Sequence, residues 1–235
     1  MLELASLSRA FGGLTVIDRL DFAVEAGEIV GIIGPNGAGK TMLVNMIAGV
    51  LPPSGGRVLF EGADITRKQP WHRCRLGIGR TYQTPKPFTR MSVFENVLAA
   101  AAHGGRLSTV RAAAQAEKVL QRTGLLHRAP LPAGQLALLD MKQLELAKAL
   151  ALRPRLLLLD EIAGGLTEAE CGLLLDTIEG VHQSGVTIVW IEHVIHALRH
   201  LVSRLAVLSG GNFIAVGAPG EVLADRLVKE AYLGI

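Results

Sequence analysis

The hydrophobic pattern alternates between short apolar runs and longer amphipathic stretches. Apolar or β-branched runs lie at residues 24–33, 57–60, 156–159 and 186–191. The runs at 156–159 and 186–191 are short and uniformly apolar, as in strands covered on both faces of a parallel sheet. The pattern therefore predicts an α/β fold with a parallel sheet at its centre.

Helical patterning fills the middle of the chain. Residues 93–102, 111–123 and 143–152 are rich in Ala, Leu, Lys and Glu at helical spacing, with glycine breaks between them. This predicts a helical insert between the strands. Residues 204–209 and 212–216 flank Gly210-Gly211, the pattern of two strands and a tight turn, and a short terminal helix follows.

Composition favours one globular domain with an embedded subdomain. The chain has 235 residues, of which 49% are hydrophobic and 19% charged, enough to bury a large core. No apolar run reaches the roughly 18 residues of a spanning helix, and the start lacks the pattern of a secretory signal. We therefore expect a cytosolic protein. Cys74 and Cys171 have no partner at metal-binding spacing and are expected to be reduced and inert.

The net charge of +3 is too small and dispersed to predict nucleic-acid binding. Basic residues concentrate only at Arg67, Lys68, Arg73, Arg75 and Arg80, without interleaved aromatic residues. This favours a solvated basic face, with contact to anionic lipid headgroups as the alternative.

A phosphate-binding loop is the strongest motif in the sequence. Its letters GPNGAGKT match G-x-x-x-x-G-K-[ST], after an apolar run at 29–33 and before a helical stretch at 42–48. Glycines expose backbone N–H groups to phosphate, the lysine neutralises charge, and the threonine ligates Mg²⁺. The motif predicts ATP or GTP binding by Gly34, Pro35, Asn36, Gly37, Ala38, Gly39, Lys40 and Thr41.

The wording of this loop resembles that of the ATP-binding cassette (ABC) family. The resemblance implies ATP and Mg²⁺ as cofactors and one domain over residues 2–235. It implies a P-loop NTPase core of mostly parallel sheet at 2–83 and 151–235, with an N-terminal antiparallel β subdomain. Residues 84–150 would form the inserted helical subdomain.

Four further positions match catalytic motifs of that family. Asp160-Glu161 ends the run at 156–159, where the family has its Walker B strand and catalytic glutamate. The resemblance implies that Asp160 holds Mg²⁺ through water and that Glu161 polarises the attacking water. Gln83 matches the glutamine that contacts Mg²⁺ and this water, and His193 matches the histidine that touches the γ-phosphate. With Lys40, the implied catalytic residues are Glu161, His193 and Gln83.

An aromatic residue near the start matches the adenine contact of the family. Phe11 occupies the position of the stacking aromatic residue, and Val16 that of a further apolar contact. Core packing is the alternative for both. Trp71 and Trp190 match no site and are interpreted as packing residues.

The signature motif of the family, usually Leu-Ser-Gly-Gly-Gln, is absent in that form. Residues 131–135 are closer in letters, but residues 136–140 end 20 positions before Asp160, which suits the family. The stretch 136–140 is therefore assigned as a degenerate signature. It replaces the serine, the two glycines and the glutamine with Ala137, Leu138, Leu139 and Asp140.

In this family the signature acts on the ATP of a partner in a head-to-tail dimer. The signature of this chain lacks the hydroxyl and the two glycines, which suggests a heterodimer with unequal sites. The alternative is that the variant is tolerated and both sites turn over. Ile162 replaces a usual proline after Glu161, and Thr167 replaces an aspartate of the family.

Two further stretches resemble the ATP-binding subunits of branched-chain amino acid importers, namely residues 81–97 and the tail 230–234. The resemblance implies a second ATP-binding subunit, two membrane permease subunits and an extracytoplasmic substrate-binding protein, and thus attachment to the inner face of the membrane. Phe88 would contact the permease subunits, or else pack in its own loop. The alternatives are a weakly hydrolysing regulatory subunit and a lipopolysaccharide-export ATPase.

Overall fold

The fold comprises two units built from three segments of the chain. In a computed structural model, residues 1–193, 198 and 201–233 are described. The first unit contains Met1–Arg73 and Thr187–Ile235, and the second unit is Cys74–Val186. Gly234, the last residue of the importer-like tail, lies outside the described residues.

An antiparallel sheet begins the first unit. Its strands are β1 (Leu2–Phe11), β2 (Leu14–Val24), β4 (Gly55–Phe60) and β5 (Ala63–Asp64), in the order β2-β1-β4-β5. In β1, Leu2 and Leu4 are buried while Glu3 between them is exposed. This alternation is typical of a sheet covered on one face.

Parallel strands form the centre of the first unit. Strand β3 (Ile29–Ile33) pairs in parallel with β8 (Thr187–Ile191) and with β9 (Arg204–Ser209). The turn Gly210-Gly211, with φ of 56° and 82°, returns the chain to β10 (Asn212–Gly217), which confirms the predicted hairpin. The described helices are α1 (Lys40–Ala48), α2 (Pro70–Arg75), whose last two residues belong to the second unit, α7 (Pro219–Ala224) and α8 (Arg226–Leu233).

The second unit combines two parallel strands with helices. Strands β6 (Ile78–Arg80) and β7 (Leu156–Asp160) pair in parallel. The helices are α3 (Val93–Ala99), continued by a π-helix at Ala100–Gly104, then α4 (Thr109–Arg122), α5 (Leu138–Ala151) and α6 (Glu168–Gln183). Helices α3, α4 and α5 contact one another, which confirms the helical insert.

The predicted element bounds differ from the structure in several places. The run at 24–33 is not one strand, because a turn at 25–28 separates the end of β2 from β3. Helix α5 begins five residues before the predicted start at 143, and α6 was not predicted. Both α3 and α6 begin with capping boxes, Ser92 with Glu95 and Thr167 with Glu170, a sequence pattern that would have located α6.

The interpretations of three side chains were wrong. Arg73 is 1% exposed, and Arg80 pairs with Asp160, so these two do not belong to a solvated basic face. Trp71 is 55% exposed and is not a packing residue, whereas Trp190 is buried as expected.

The α/β fold itself, with one antiparallel sheet and mostly parallel central strands, is confirmed. Among the described helices, none combines the length and hydrophobicity that crossing a bilayer requires.

Candidate nucleotide-binding and catalytic site

The phosphate loop joins the end of β3 to the start of α1. Gly34 fits only as glycine, since a Cβ there would lie 2.2 Å from the carbonyl oxygen of Leu208. Gly37 and Gly39 have φ of 81° and 100°, a region in which L-residues with side chains are strained. A Cβ on Gly37 would meet no atom within 4 Å, so the loop is open at this point. The loop conformation therefore depends on its glycines.

Lys40 lies across the loop. Its Nζ donates to the carbonyl oxygen of Gly34 at 2.7 Å and to that of Pro35 at 3.1 Å, and the residue is 6% exposed. These bonds hold the ammonium group over the loop, where it would neutralise phosphate charge.

The donors of this loop fit a phosphate group. Helix α1 has Gly39 as its N-cap, no side-chain capping bond and no acidic residue in its first turn. A helix N-terminus of this kind attracts anions through its N–H groups and its dipole. The loop, the helix end and Lys40 thus offer donors for the phosphates of a nucleotide.

Val16 lies next to the phosphate loop. Its Cγ1 would be 3.3 Å from a Cβ on Gly39, so the two residues are in contact distance. Phe11 ends β1 at the Gly12-Gly13 turn, is 47% exposed, and carries the guanidinium of Arg9 over its ring at 4.3 Å. An exposed aromatic ring argues against core packing of Phe11 and leaves one face for a planar base.

His193 follows β8 in the first unit. Its side chain is 52% exposed, and its backbone N–H donates to the Oε2 of Glu192 at 3.3 Å. The side chain of Glu192 is buried, and its Oε2 lies 3.9 Å from the Nδ1 of His193. This carboxylate therefore lies beside the ring of His193.

Asp160 and Arg80 form a buried ion pair in the second unit. The two residues end the paired strands β7 and β6, and Arg80 Nη2 lies 3.0 Å from Asp160 Oδ2. The side chain of Arg80 is 10% exposed and that of Asp160 is 2% exposed. The Asp160 N–H also donates to Thr81 Oγ1 at 3.3 Å. Asp160 is therefore held in position as a carboxylate at the end of the strand.

Gln83 and Glu161 are joined directly. Gln83 Nε2 donates to Glu161 Oε2 at 2.6 Å. Glu161 has a φ of 46°, in the left-handed region that costs an L-residue about 1–2 kcal/mol. Such strained residues concentrate at functional sites. Of the residues predicted from the sequence, the second unit thus brings together Gln83, Asp160 and Glu161.

The stretch 136–140, predicted to be a degenerate signature, includes the start of helix α5. Ala137 is its N-cap and supplies no capping side chain, while Leu138 is 40% exposed. Asp140 lies in the first turn, where the helix dipole favours a carboxylate, and its Oδ2 is 3.4 Å from Arg128 Nε. The competing stretch contains the 3₁₀ turn Ala133–Gln135.

Sequence reasoning missed Arg80 and Thr81 as neighbours of Asp160. The local concentration of basic residues predicts a solvated face for Arg80, which the structure contradicts. Its position at the end of a strand, three residues before Gln83, was the available signal. Thr167, noted only as a departure, caps α6 by accepting a bond from the Glu170 N–H at 3.3 Å.

A phosphate loop between a strand and a helix, with an acidic residue ending another parallel strand, defines the class of P-loop nucleotide-binding ATPases. A family model described as "ABC transporter" matches residues 17–164. The probable branched-chain amino acid transport ATP-binding protein LivG of Archaeoglobus fulgidus is 33% identical over 245 residues, covering 100% of this chain and 95% of that protein.

A second relative has a different name. The lipopolysaccharide export system ATP-binding protein LptB of Escherichia coli K12 is 31% identical over 229 residues, covering 97% of this chain and 95% of that protein. A solved structure of the ADP conformation of an ATP-binding cassette of an ABC transporter matches with a TM-score of 0.90 and 31% identity, covering 100% and 99% of the two chains. The chain belongs to the ABC transporter family, as an ATP-binding and ATP-hydrolysing subunit.

Proposed function

We propose that this subunit energises import of branched-chain amino acids or related small carboxylates or amides. The proposal is carried by the similarity to LivG over the whole chain. Import would require two permease subunits, a second ATP-binding subunit and an extracytoplasmic substrate-binding protein. The subunit would then be peripheral, on the inner face of the membrane. A lipopolysaccharide-export role is the second candidate, because LptB is nearly as similar.

We assign the chemical roles as follows. The phosphate loop binds ATP, with Lys40 on its terminal phosphates, and Phe11 and Val16 contact the base. Mg²⁺ keeps several waters and needs only one or two carboxylates besides phosphate, so Thr41, Asp160 and Gln83 suit it as direct or water-mediated ligands. Bound Mg²⁺ would neutralise phosphate charge.

Hydrolysis is phosphoryl transfer to water. Water forms a bond to the γ-phosphorus as the bond to the ADP oxygen breaks, and Glu161 accepts the proton of the water. Gln83 orients the Glu161 carboxylate through its 2.6 Å bond. His193 donates to the γ-phosphate. Most of the rate enhancement comes from this positioning and from charge stabilisation.

The signature supports a heterodimer with unequal sites. Ala137 has no hydroxyl for a partner's γ-phosphate, and the side chains of Leu138 and Leu139 keep a backbone at a distance. The defect would fall on the ATP bound to the partner, whereas the ATP bound to this chain would use the partner's signature. A variant tolerated at both sites is the alternative.

Phe88 supports a permease contact through the loop at 84–91. The ring is 60% exposed, which disfavours ordinary loop packing. Buried Asn96 fixes the loop, accepting from the Phe88 N–H at 2.8 Å and donating to its carbonyl oxygen at 3.1 Å. The loop is also tied to α5, because Glu145 accepts from the Lys86 N–H and Lys148 donates to the Lys86 carbonyl oxygen, each at 2.8 Å. Movement of the loop would therefore reach the signature helix.

ATPase activity with the neighbouring ATP-binding and permease subunits tests the hydrolytic role. Glu161→Gln should lower kcat by at least about a hundredfold, whereas Glu168→Gln, an exposed glutamate at the start of α6, should leave it unchanged. Unchanged activity in Glu161→Gln would instead favour a regulatory subunit that binds ATP but hydrolyses it weakly.

Stimulation of the same complex in proteoliposomes tests the cargo. An importer should be stimulated by its substrate-binding protein loaded with leucine, isoleucine or valine. Stimulation by lipopolysaccharide and none by a loaded binding protein would support the export role instead.

A further inference from the structure

A cavity of about 380 Å³ lies in the second unit, away from Gln83 and Glu161. It is lined by residues of the segments 74–77, 104–106 and 152–155. Segments 74–77 and 152–155 directly precede β6 and β7, which run parallel, whereas Gln83 and Glu161 follow their carboxyl ends. The cavity is thus at the opposite edge of these strands from the hydrolytic residues.

Arginine dominates the cavity lining. Arg75, Arg106, Arg153 and Arg155 line it, and no described acidic residue does. Within the described parts of the chain, no carboxylate pairs with Arg75, Arg106 or Arg153. Arg155 Nη2 donates to the Leu76 carbonyl oxygen at 2.8 Å. Three of the four positive charges at this cavity, those of Arg75, Arg106 and Arg153, therefore have no carboxylate partner among the described residues.

Two of these arginines occupy unfavourable backbone conformations. Arg106 and Arg153 each have a φ of 54°, in the left-handed region where glycine or asparagine is preferred. Arg153 follows Leu152, the C-cap of α5, a position that is most often glycine. A cation near the carboxyl end of α5 is favoured by the helix dipole, but this accounts for Arg153 alone. Local stability therefore does not explain the cluster.

We propose that this arginine cavity binds a phosphate-bearing anion. Guanidinium groups form bidentate bonds with phosphate oxygens and are the preferred side chains for this purpose. Gly77, Gly104 and Gly105 also line the cavity. The anion is a free phosphorylated compound or the headgroup of an anionic lipid.

Calorimetric titration of the full chain with inorganic pyrophosphate tests the proposal, with ADP saturating the phosphate loop throughout. The variant Arg106→Asn/Arg153→Asn removes two charges with a residue that tolerates the left-handed region. It should weaken binding by about tenfold or more, since each charge-assisted bond contributes substantially. The control Arg111→Gln/Lys118→Gln removes two charges from exposed positions of α4 and should change binding by less than about twofold.

The lipid arm uses flotation with vesicles of phosphatidylcholine, with or without phosphatidic acid. If Arg106→Asn/Arg153→Asn loses binding only to the vesicles that contain phosphatidic acid, the lipid headgroup is the source. If this variant loses binding to pyrophosphate, the source is a free anion. The proposal is overturned if neither probe binds, or if the control variant weakens binding as much. It is also overturned if Lys40→Ala abolishes the pyrophosphate signal, since the signal then comes from the phosphate loop.

Discussion

Gln83 Nε2 and Glu161 Oε2 are 2.6 Å apart, although the two residues are 78 positions apart in the sequence. The bond exists because β6 and β7 pair in parallel and both residues follow the carboxyl ends of these strands. It orients the Glu161 carboxylate, whose backbone has a φ of 46°. Gln83 is therefore in a position to control the geometry of the proposed general base.

Replacing Gln83 should slow hydrolysis more than it weakens nucleotide binding. In Gln83→Ala, Glu161 loses the donor that orients it, so kcat of the assembled complex should fall about 10- to 100-fold, with a smaller change in KM. Steady-state ATPase kinetics measure both. Gln121→Ala removes an exposed glutamine from α4 of the same unit and should be neutral. A kcat within twofold of the unaltered protein would disprove the positioning role.

Removing Arg80 should destabilise the fold. Arg80→Met leaves Asp160 as a buried carboxylate without its 3.0 Å partner, which typically costs about 3–5 kcal/mol. Urea unfolding measures the change in the free energy of unfolding. Arg90→Met, at an exposed position, should change it by less than about 0.5 kcal/mol. Equal effects of the two variants would mean that the ion pair contributes nothing.

The buried guanidinium of Arg73 links α1 to the segment before α2. It donates to the carbonyl oxygens of Met46, Ile47, Thr66 and Lys68 at 2.7–2.9 Å. Burial lowers its pKa to about 10, so it remains charged at neutral pH.

Arg73→Met should therefore leave several carbonyl groups without donors and destabilise the protein by about 3 kcal/mol or more. Because Met46 and Ile47 belong to α1, which begins at the phosphate loop, ATP affinity should fall as well. Urea unfolding and equilibrium binding of ATP measure these effects. Arg73→Lys should retain part of the stability. An Arg73→Met variant with unaltered unfolding would contradict this interpretation.

The capping box of α6 should make stability depend on acidic pH. Hydrogen bonds from the backbone N–H and hydroxyl of Thr167 hold the pKa of Glu170 below its usual range. A carboxyl with a lowered pKa stabilises the fold above its unfolded pKa of about 4.3, and this contribution disappears as the pH falls through the folded pKa.

Glu170→Gln should therefore be less stable than the unaltered protein at pH 6, and the difference should shrink as the pH falls below about 4.3. Thermal unfolding between pH 6 and pH 3 measures this. Glu117→Gln, an exposed glutamate of α4, provides the comparison. A difference that stays constant across this range would exclude the titration of Glu170 as its cause.

Local patterns were sufficient for much of the fold. The apolar runs located β7 and β8, and the glycine pair at 210–211 located the last hairpin, because strand period and turn chemistry depend on neighbouring residues. Local patterns were insufficient to place two element boundaries, the start of β3 and the start of α5. The stretch 24–33 contains a turn at 25–28, with Glu25 and Glu28, between the end of β2 and β3, and the start of α5 lacks a capping side chain.

The sequence by itself determined the phosphate loop, since its glycines, lysine and threonine are adjacent and their chemistry requires that spacing. Only the tertiary structure decided which side chains pair across long separations. It joined Gln83 to Glu161 and Arg80 to Asp160, and it gathered four arginines from three segments around one cavity. Such contacts depend on strand pairing and helix packing, which bring together residues whose proximity no local pattern encodes.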